Sequence, residues 1–180
     1  MKRKRWVIVA IILVLVSGYT AGIYGQTTKI TKTQITNITE KQNQEEIAKN
    51  VLDDTGRESN DLRNLEKVTI YYGEARGNDD KDVVISLDLG PENSVVVAYT
   101  LSGEFYEYLG DIGTFHSVDN IQFVPMKGLD KDVVIVEENQ HNGAYQNTVF
   151  LRGYLYNNEN TFYNVLHTPI KTDAKWQEIE

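Results

Sequence analysis

The hexapeptide DKDVVI occurs at residues 80–85 and again at residues 130–135. The segments that surround the two copies match in the same order, which indicates an internal duplication with a period of about 50 residues. Each copy contains four short runs rich in branched and aromatic residues, and such residues favour β-strands. The predicted strands are 67–74, 82–89, 94–101 and 104–111 in the first copy, and 120–126, 132–138, 147–156 and 161–167 in the second. The pattern therefore predicts an all-β fold built from two duplicated four-stranded antiparallel meanders, residues 66–118 and 119–180.

Alternation with a period of two gives each predicted strand one strongly apolar face. This face carries Val83, Ile85, Leu87, Leu89, Val95, Val97, Tyr99 and Leu101 in the first copy, and Val133, Ile135, Val149, Leu151 and Leu155 in the second. The opposite faces are partly apolar too, at Val84, Val96, Ala98, Val134 and Val136. Since one sheet cannot bury an apolar face alone, we expect the meanders to pack on each other as one globular domain, residues 66–180. The arrangement would be either a sandwich or two propeller-like blades.

The N-terminal segment predicts a location at the cell membrane. Four consecutive cations occupy residues 2–5, and the 23 residues from Trp6 to Thr28 carry no charge. A helix of about 20 apolar residues spans a bilayer, and flanking cations stay on its cytoplasmic side. We predict a single-pass signal-anchor helix over residues 1–25, embedded through residues 6–25, with the rest of the chain extracytoplasmic. The alternative is a signal peptide cleaved after Gly22, which would release a secreted protein.

Residues 26–65 are predicted to form a stalk that holds the β-domain away from the membrane. The first part is rich in Thr, Lys and Gln and offers few groups to bury. Residues 39–54 predict a short helix, and Asn37 and Glu40 have the spacing of a capping box near its start. Three apolar residues share one face of this helix: Ile47, Val51 and Leu52.

Charge and composition exclude several classes of function. The chain has 18 basic and 26 acidic residues, and four of the basic residues precede Trp6. The part after the apolar segment is therefore strongly acidic, which disfavours nucleic acid as a partner because such binding depends on neutralising phosphates. The sequence contains no cysteine, so disulfides, thiolate metal sites and a cysteine nucleophile are all excluded.

The DKDVVI repeats also carry a family resemblance. Four strands per repeat, with an Asp-rich turn that leads into Asp82-Val83-Val84-Ile85 and Asp132-Val133-Val134-Ile135, are similar to FG-GAP/VCBS-type β-propeller blade repeats. The resemblance implies a Ca²⁺-binding loop, whose ligands here would be Asn78, Asp79, Asp80 and Asp82. The second copy departs from the pattern, because Pro125, Lys127 and Leu129 stand where acidic ligands are expected. The alternative is a polar turn in which Asp and Asn side chains cap backbone amides.

Four tyrosines form a second candidate site. Alternation places Tyr106 and Tyr108 on one face of a strand, and Tyr154 and Tyr156 on one face of another, in both cases opposite the aliphatic face. Tyrosine combines a flat apolar ring with a polar tip, so these pairs could bind a glycan or a protein. The alternative is that the four rings are buried in the core.

Catalytic motifs are missing from the sequence. It contains no serine elbow, no phosphate-binding glycine-rich loop and no paired His-Glu motif. His116, His141 and His167 lack the close spacing of a metal-binding pair. We therefore predict a non-enzymatic module, anchored at a bacterial cell surface, that binds a protein or a surface polymer and can form homo-oligomers. The alternative function is a calcium- or glycan-binding propeller-like module.

Overall fold

The computed structural model describes residues 29–77, 81–141, 146–157, 159 and 161–174, which form two antiparallel sheets. The first sheet has the strand order β1-β5-β4-β3-β2 and the second has the order β6-β7-β8-β9. The strands of the first sheet are β1 (Ile30–Thr31), β2 (Lys67–Gly73), β3 (Asp82–Asp88), β4 (Ser94–Ser102) and β5 (Phe105–Phe115). Those of the second are β6 (Val118–Pro125), β7 (Asp132–His141), β8 (Gln146–Tyr156) and β9 (Phe162–Ala174).

The two predicted meanders are confirmed. Within each repeat, β2 to β5 or β6 to β9, a strand pairs only with the strands next to it in sequence, and every pairing is antiparallel. The two-residue strand β1 was not predicted, because a segment of that length carries no alternation. It pairs with the start of β5 and so extends the first sheet by one short strand.

Two α-helices and one 3₁₀ helix precede the meanders. They are α1 (Lys32–Thr36), α2 (Lys41–Asp54) and the 3₁₀ helix Ser59–Asn64. The capping box lies at Thr31 and Gln34, at the start of α1. The predicted box at Asn37 and Glu40 is therefore wrong, since Asn37 ends α1 and the side chain of Glu40 caps nothing.

Helix α2 ends in a Schellman motif. Gly56 adopts a left-handed conformation, with φ of 67°, which glycine tolerates without steric cost. The N–H of Arg57 donates to the carbonyl of Leu52 at 2.8 Å, and the N–H of Gly56 donates to that of Asp53 at 3.2 Å. These bonds satisfy carbonyls that the helix itself leaves free.

Residues 30–65 belong to the globular domain, which corrects the prediction of a separate stalk. Helix α2 buries Ile47, Ala48, Val51 and Leu52 against the alternating apolar face of the first sheet. Further along the contact, the Tyr99 hydroxyl on β4 donates to Asp54 Oδ2 at 2.8 Å and fixes the end of the helix. The predicted buried face of α2 is confirmed. Ile30 and Ile35 are also buried in this core, which was not predicted because the segment around them is mostly polar.

The two sheets pack together through the opposite face of the first sheet. A second core joins Val84, Val96, Ala98, Leu109, Ile112 and Phe115 of the first sheet to Ile121, Val134, Val136, Tyr154 and Tyr156 of the second. The expectation that the two strongly apolar faces meet each other is therefore wrong. In the first sheet the strongly apolar face lies under α2. The contact between the sheets is formed by the less apolar face of each. The layers run in the order helix, first sheet, second sheet.

The two copies of the repeated turn contact each other at one end of the sheet interface. The N–H of Asp132 donates to the carbonyl of Glu74 at 3.0 Å. Gly77 lies so close to this second turn that a Cβ atom there would collide with the carbonyl oxygen of Asp130. Nearby, the ring of Phe123 on β6 occupies the space that a side chain at Gly73 would need. The duplicated segments therefore meet in space as well as in sequence.

The described residues contain no helix that is long and apolar enough to span a membrane. The predicted anchor, residues 1–25, lies outside the described residues.

The role of α2 as part of the core can be tested by substitution. Replacing Ile47 with Ala should lower the free energy of unfolding by about 2–5 kcal/mol, because the side chain is fully buried and leaves a cavity. The measurement is urea unfolding followed by tyrosine fluorescence. Lys49→Ala, at an exposed position of the same helix, is the matched control and should change stability by less than about 0.5 kcal/mol. Equal stability of the two variants would show that α2 does not contribute to the core.

The contact between the repeated turns gives a second test. Gly77→Ala should be more destabilising than Gly103→Ala, although both glycines have a positive φ, 71° and 65°. Each variant forces a left-handed backbone, at a cost of about 1–2 kcal/mol. Only Gly77→Ala also overpacks a contact, which adds about 1–3 kcal/mol, since no atom lies within 4 Å of the Cβ position at Gly103. Thermal unfolding of the two proteins measures the difference, and indistinguishable midpoints would contradict the described approach of the turns.

Candidate functional site

The side chain of Asp82 caps the backbone of the first repeated turn. This carboxylate is fully buried, and its Oδ2 accepts a hydrogen bond from the backbone N–H of Arg76 at 2.9 Å. The Arg76 guanidinium lies beside it, with Nε 3.8 Å from Oδ1, and also donates to the hydroxyl of Thr100 on the neighbouring strand. Burial raises the pKa of Asp82, although hydrogen bonds from Thr100 and from the turn oppose the shift. All of these partners belong to the first repeat.

The predicted calcium ligands divide into two groups. Asn78, Asp79 and Asp80 lie outside the described residues. Asp82 is described, and its contacts match the alternative interpretation, a turn stabilised by an Asp side chain that caps backbone amides. The part of the chain that the structure describes contains no group of three or more acidic or histidine side chains placed to hold a metal ion.

The four tyrosines lie in the two cores and do not form one exposed platform. Tyr106 is 5% exposed and belongs to the core under α2, where the half-buried Tyr108 packs beside it. Tyr154 and Tyr156 are 8% and 9% exposed and belong to the core between the sheets. Each pair shares a face as predicted, but only Tyr154 and Tyr156 lie opposite the aliphatic face, since Tyr106 and Tyr108 pair with Leu101 and Tyr99 on that face of the first sheet. Burial leaves little ring surface for a ligand.

The ring of Tyr108 packs against a second aromatic ring in the core under α2. Its ring meets that of Tyr99 edge to face, with 5.7 Å between centroids, an arrangement that aromatic pairs favour. Burial, followed by the charge of Asp111, raises the pKa of Tyr108 to about 12. The phenol therefore stays neutral at physiological pH and acts as a packing group of the core.

A buried ion pair that the sequence did not reveal joins the two sheets. Glu138 on β7 is 1% exposed, and its Oε2 lies 2.6 Å from Arg152 Nη2 on β8. The Arg152 guanidinium stacks over the ring of Phe115, the last residue of the first sheet, at 5.7 Å from the ring centroid. Glu138 Oε1 also accepts the backbone N–H of His116 at 3.0 Å, and the His116 Nδ1 lies 3.4 Å away. The pair holds the connection between the sheets in place.

The sequence pattern does not reveal this cluster. Glu137 and Glu138 are consecutive, and period two sends one to each face of the strand, but it does not say which face is inner. The signal that could have identified Glu138 as the inner residue is Val136, which lies two positions earlier on the same face and belongs to the core between the sheets. Burial of a carboxylate requires a cationic partner, and Arg152 is the basic residue within β8.

The outer face of the second sheet is an apolar surface that no other described element covers. This outer face comprises Asn120, Gln122 and Val124 of β6, Val133, Ile135 and Glu137 of β7, Val149, Leu151, Gly153 and Leu155 of β8, and Tyr163, Leu166, Ile170 and Lys171 of β9. The apolar residues at its β9 side are the most open, since Ile170 is 52% exposed and Leu166 40%. A face of this composition is typical of a contact surface.

A groove of about 350 Å³ runs across this outer face. Its apolar floor and wall are formed by Val124, Ile135, Leu151 and Ile170, and its polar margin by Asn120, Gln122 and Glu137. The side chains of Ile135 and Leu166 close over Gly153, where a Cβ would press against both. An apolar centre with an amide-rich margin suits a protein surface.

The raised pKa of Asp82 predicts how stability changes with pH. The folded protein holds a proton on Asp82 more readily than the unfolded chain, whose pKa is near the ordinary 3.8. The unfavourable contribution of the buried charge is therefore present above the raised pKa and is relieved as pH falls through it toward about 3.8. The stability of the wild type relative to Asp82→Asn should accordingly increase between pH 7 and pH 4, as measured by urea unfolding.

The equivalent residue of the second repeat supplies the control for this measurement. Asp132 is half-buried, and it contacts the first sheet through its backbone N–H. Asp132→Asn is the matched substitution, because it removes the carboxylate at the same position of the other repeat. If the wild type and Asp82→Asn changed in parallel with pH, burial would not be shifting the titration of Asp82.

No protein-family model, curated protein or solved structure matches this chain. The similarity of the repeats to FG-GAP/VCBS-type blades therefore stays a prediction from the sequence.

Proposed function

We propose that this protein is a non-enzymatic interaction module of the cell surface, anchored in the membrane by its N-terminal segment, and that the outer face of its second sheet binds a protein. The observation that carries the proposal is the difference between the two repeats. In the first, the strongly apolar face is buried under α2, whereas in the second no described element covers the equivalent face: Val133 is buried, Ile135, Leu151 and Leu155 are half-buried, and Leu166 and Ile170 beside them are exposed. Exposed apolar surface of this kind is stable in a cell when another surface covers it.

The buried charged groups support a binding role more than a catalytic one. Asp82 and Glu138 are the two acidic residues that the described chain buries fully. Each is already engaged, Asp82 with its own turn and Arg76, and Glu138 with Arg152 and the connection between the sheets. A catalytic carboxylate must reach a substrate, whereas these two hold the fold together.

The β9 edge of the second sheet is less suited to binding a partner than the outer face of that sheet. Strand β9 contains Pro169, which lacks an N–H, and its register with β8 shifts at two places, beside Phe150 and beside Tyr154. Proline and bulges are the devices that stop an edge strand from pairing with another chain. A partner is therefore expected to lie across the face and not to extend the sheet.

The location at the membrane is proposed on the strength of the N-terminal sequence. Four cations followed by 23 uncharged residues suit a helix whose cationic end stays in the cytoplasm. The described chain starts at Lys29, beside Phe105 on β5, and enters β1 at the edge of the first sheet. The anchor would thus join the first sheet and not the second, and the outer face of the second sheet would remain accessible.

The proposed function can be tested with a photo-reactive residue in the full chain. A benzophenone amino acid at position 170 places the reactive group on the outer face of the second sheet, and the same residue at position 49 places it on the exposed side of α2. On irradiation of intact cells, position 170 should give discrete covalent adducts with protein and position 49 should not. The masses of the adducts are read by immunoblot and mass spectrometry.

The two positions make the outcome decisive. Both are solvent-exposed, so a difference between them reflects the surface and not access to the reagent. If position 170 formed no adduct, or formed the same adducts as position 49, the outer face would not be a binding surface and the proposal would fail.

A further inference from the structure

We infer that the free edge of strand β2 binds an extended segment of another protein, which adds to the first sheet as a further strand. The segment carries a cationic residue at each end. This inference goes beyond the proposed function, because it concerns an edge of the first sheet and not the outer face of the second. The backbone of an extended segment fits such an edge, since it hydrogen-bonds with the unpaired N–H and C=O groups there.

Strand β2 is an edge strand along its whole length. In the described chain it pairs with β3 alone, through every residue from Lys67 to Gly73 and without a shift in register. Val68 is its one buried residue, and Tyr72 is 58% exposed. The strand therefore presents a regular row of unpaired backbone groups on the side away from β3.

The other sheet edges of the described chain have features that oppose strand addition. Strand β1 has two residues, and β5, which β1 covers only at its start, shifts register twice against β4. Strand β6 shifts register against β7 and ends at Pro125, and β9 contains Pro169 and two shifts. Very short strands, prolines and bulges are the means by which proteins block an edge. Strand β2 has none of these features, so its edge remains suited to pairing.

The side chains of β2 favour an apolar segment as the added strand. Val68 and Ile70 pack in the core under α2, and Tyr71 packs against the core between the sheets. Tyr72 projects from the same face of the strand as Ile70. Alternate side chains of an added strand would lie beside Val68, Ile70 and Tyr72 and extend the core under α2. Branched or aromatic residues at those alternate positions fit a pleated surface of this kind.

Two exposed glutamates at the ends of β2 select against a second copy of this chain and in favour of a cationic segment. Glu66 precedes the strand and Glu74 follows it. Antiparallel pairing of two copies over the full strand is centred on Ile70, so each Glu66 would face a Glu74 of the other copy. The one cation of β2, Lys67, would face Gly73. Like charges that face each other across a strand pair are destabilising. A foreign segment with Lys or Arg at both ends avoids this repulsion, and the net charge of −8 attracts it.

A designed peptide tests strand addition to the full chain in detergent. The peptide spans the distance from Glu66 to Glu74, with lysine at both ends and threonine and valine alternating between them. In either direction its valines lie opposite Val68, Ile70 and Tyr72. One control peptide has glutamate at both ends, and a second has proline in place of the central valine. The measurement is amide hydrogen exchange of β2, followed residue by residue by NMR.

In the protein alone, the amides of β2 should fall into two alternating sets, one protected by β3 and one that exchanges rapidly. The lysine-ended peptide should slow the rapid set by about tenfold when its concentration is about ten times its dissociation constant. The glutamate-ended peptide should bind about tenfold more weakly, and the proline peptide should have no effect. Glu66→Lys/Glu74→Lys in the protein should reverse the preference between the two charged peptides. Thermal unfolding of this variant checks that the fold is unchanged.

Several results would overturn this inference. If both sets of β2 amides were protected in the protein alone, the edge would already be covered, and protection that rises with protein concentration would identify a second copy as the cover. A rapid set that no peptide slows would exclude strand addition. Equal binding of the two charged peptides, or an unchanged preference in the double variant, would exclude a partner with cationic ends. The photo-adducts at position 170 test the outer face of the second sheet separately, so the proposed function and this inference can fail independently.

Discussion

The fold depends on burying both faces of the central strands of the first repeat. Strands β3 and β4 bury every residue from Asp82 to Leu87 and from Ser94 to Thr100, so their side chains face a core on each side of the sheet. A sheet with two apolar faces needs a cover on each. Helix α2 supplies one cover and the second meander supplies the other, which fixes the order of the three layers.

The duplicated hexapeptide makes different contacts in its two copies. Asp82 turns its carboxylate into the protein and caps its own turn, whereas Asp132 contributes its backbone N–H to the contact with Glu74. The residues kept in both copies are those that start a strand and fill the inner core, in particular Val84 and its equivalent Val134. The repeat is thus best explained by shared architecture, and Gly77 is required because the two turns approach each other so closely.

Much of the β-structure could be predicted because alternation and turn residues are local signals. All eight long strands were found, seven of them to within four residues at each end, whereas β9 continues seven residues beyond its predicted end. The buried face of α2 followed from the spacing of Ile47, Val51 and Leu52. The assignment of faces failed, since alternation identifies two faces of a sheet but not the element that covers each one. Strand β1 and the burial of Ile30 and Ile35 were missed because a polar, Thr-rich segment gives no periodic signal.

The candidate sites were harder to predict for a related reason. A tyrosine pair has the same sequence pattern in a core as on a binding surface, and the packing of the second sheet decides between the two for Tyr154 and Tyr156. The pair Glu138–Arg152 joins residues 14 positions apart that belong to neighbouring strands, so its register is fixed only by the folded sheet. The uncovered outer face of the second sheet likewise could not be identified from the sequence, because this requires knowing which sheet face α2 covers.

The central claim is that α2 covers the strongly apolar face of the first sheet, whereas no described element covers the outer face of the second. Methyl NMR spectra of the purified protein, recorded with a soluble paramagnetic reagent, test both halves in one sample. We predict that the methyl groups of Ile47 and Ile85, which are fully buried, are shielded from the reagent. Those of Leu166 and Ile170 should be accessible to it, because these side chains are 40% and 52% exposed. Access of the reagent to Ile47 and Ile85, or shielding of Leu166 and Ile170, would contradict the account.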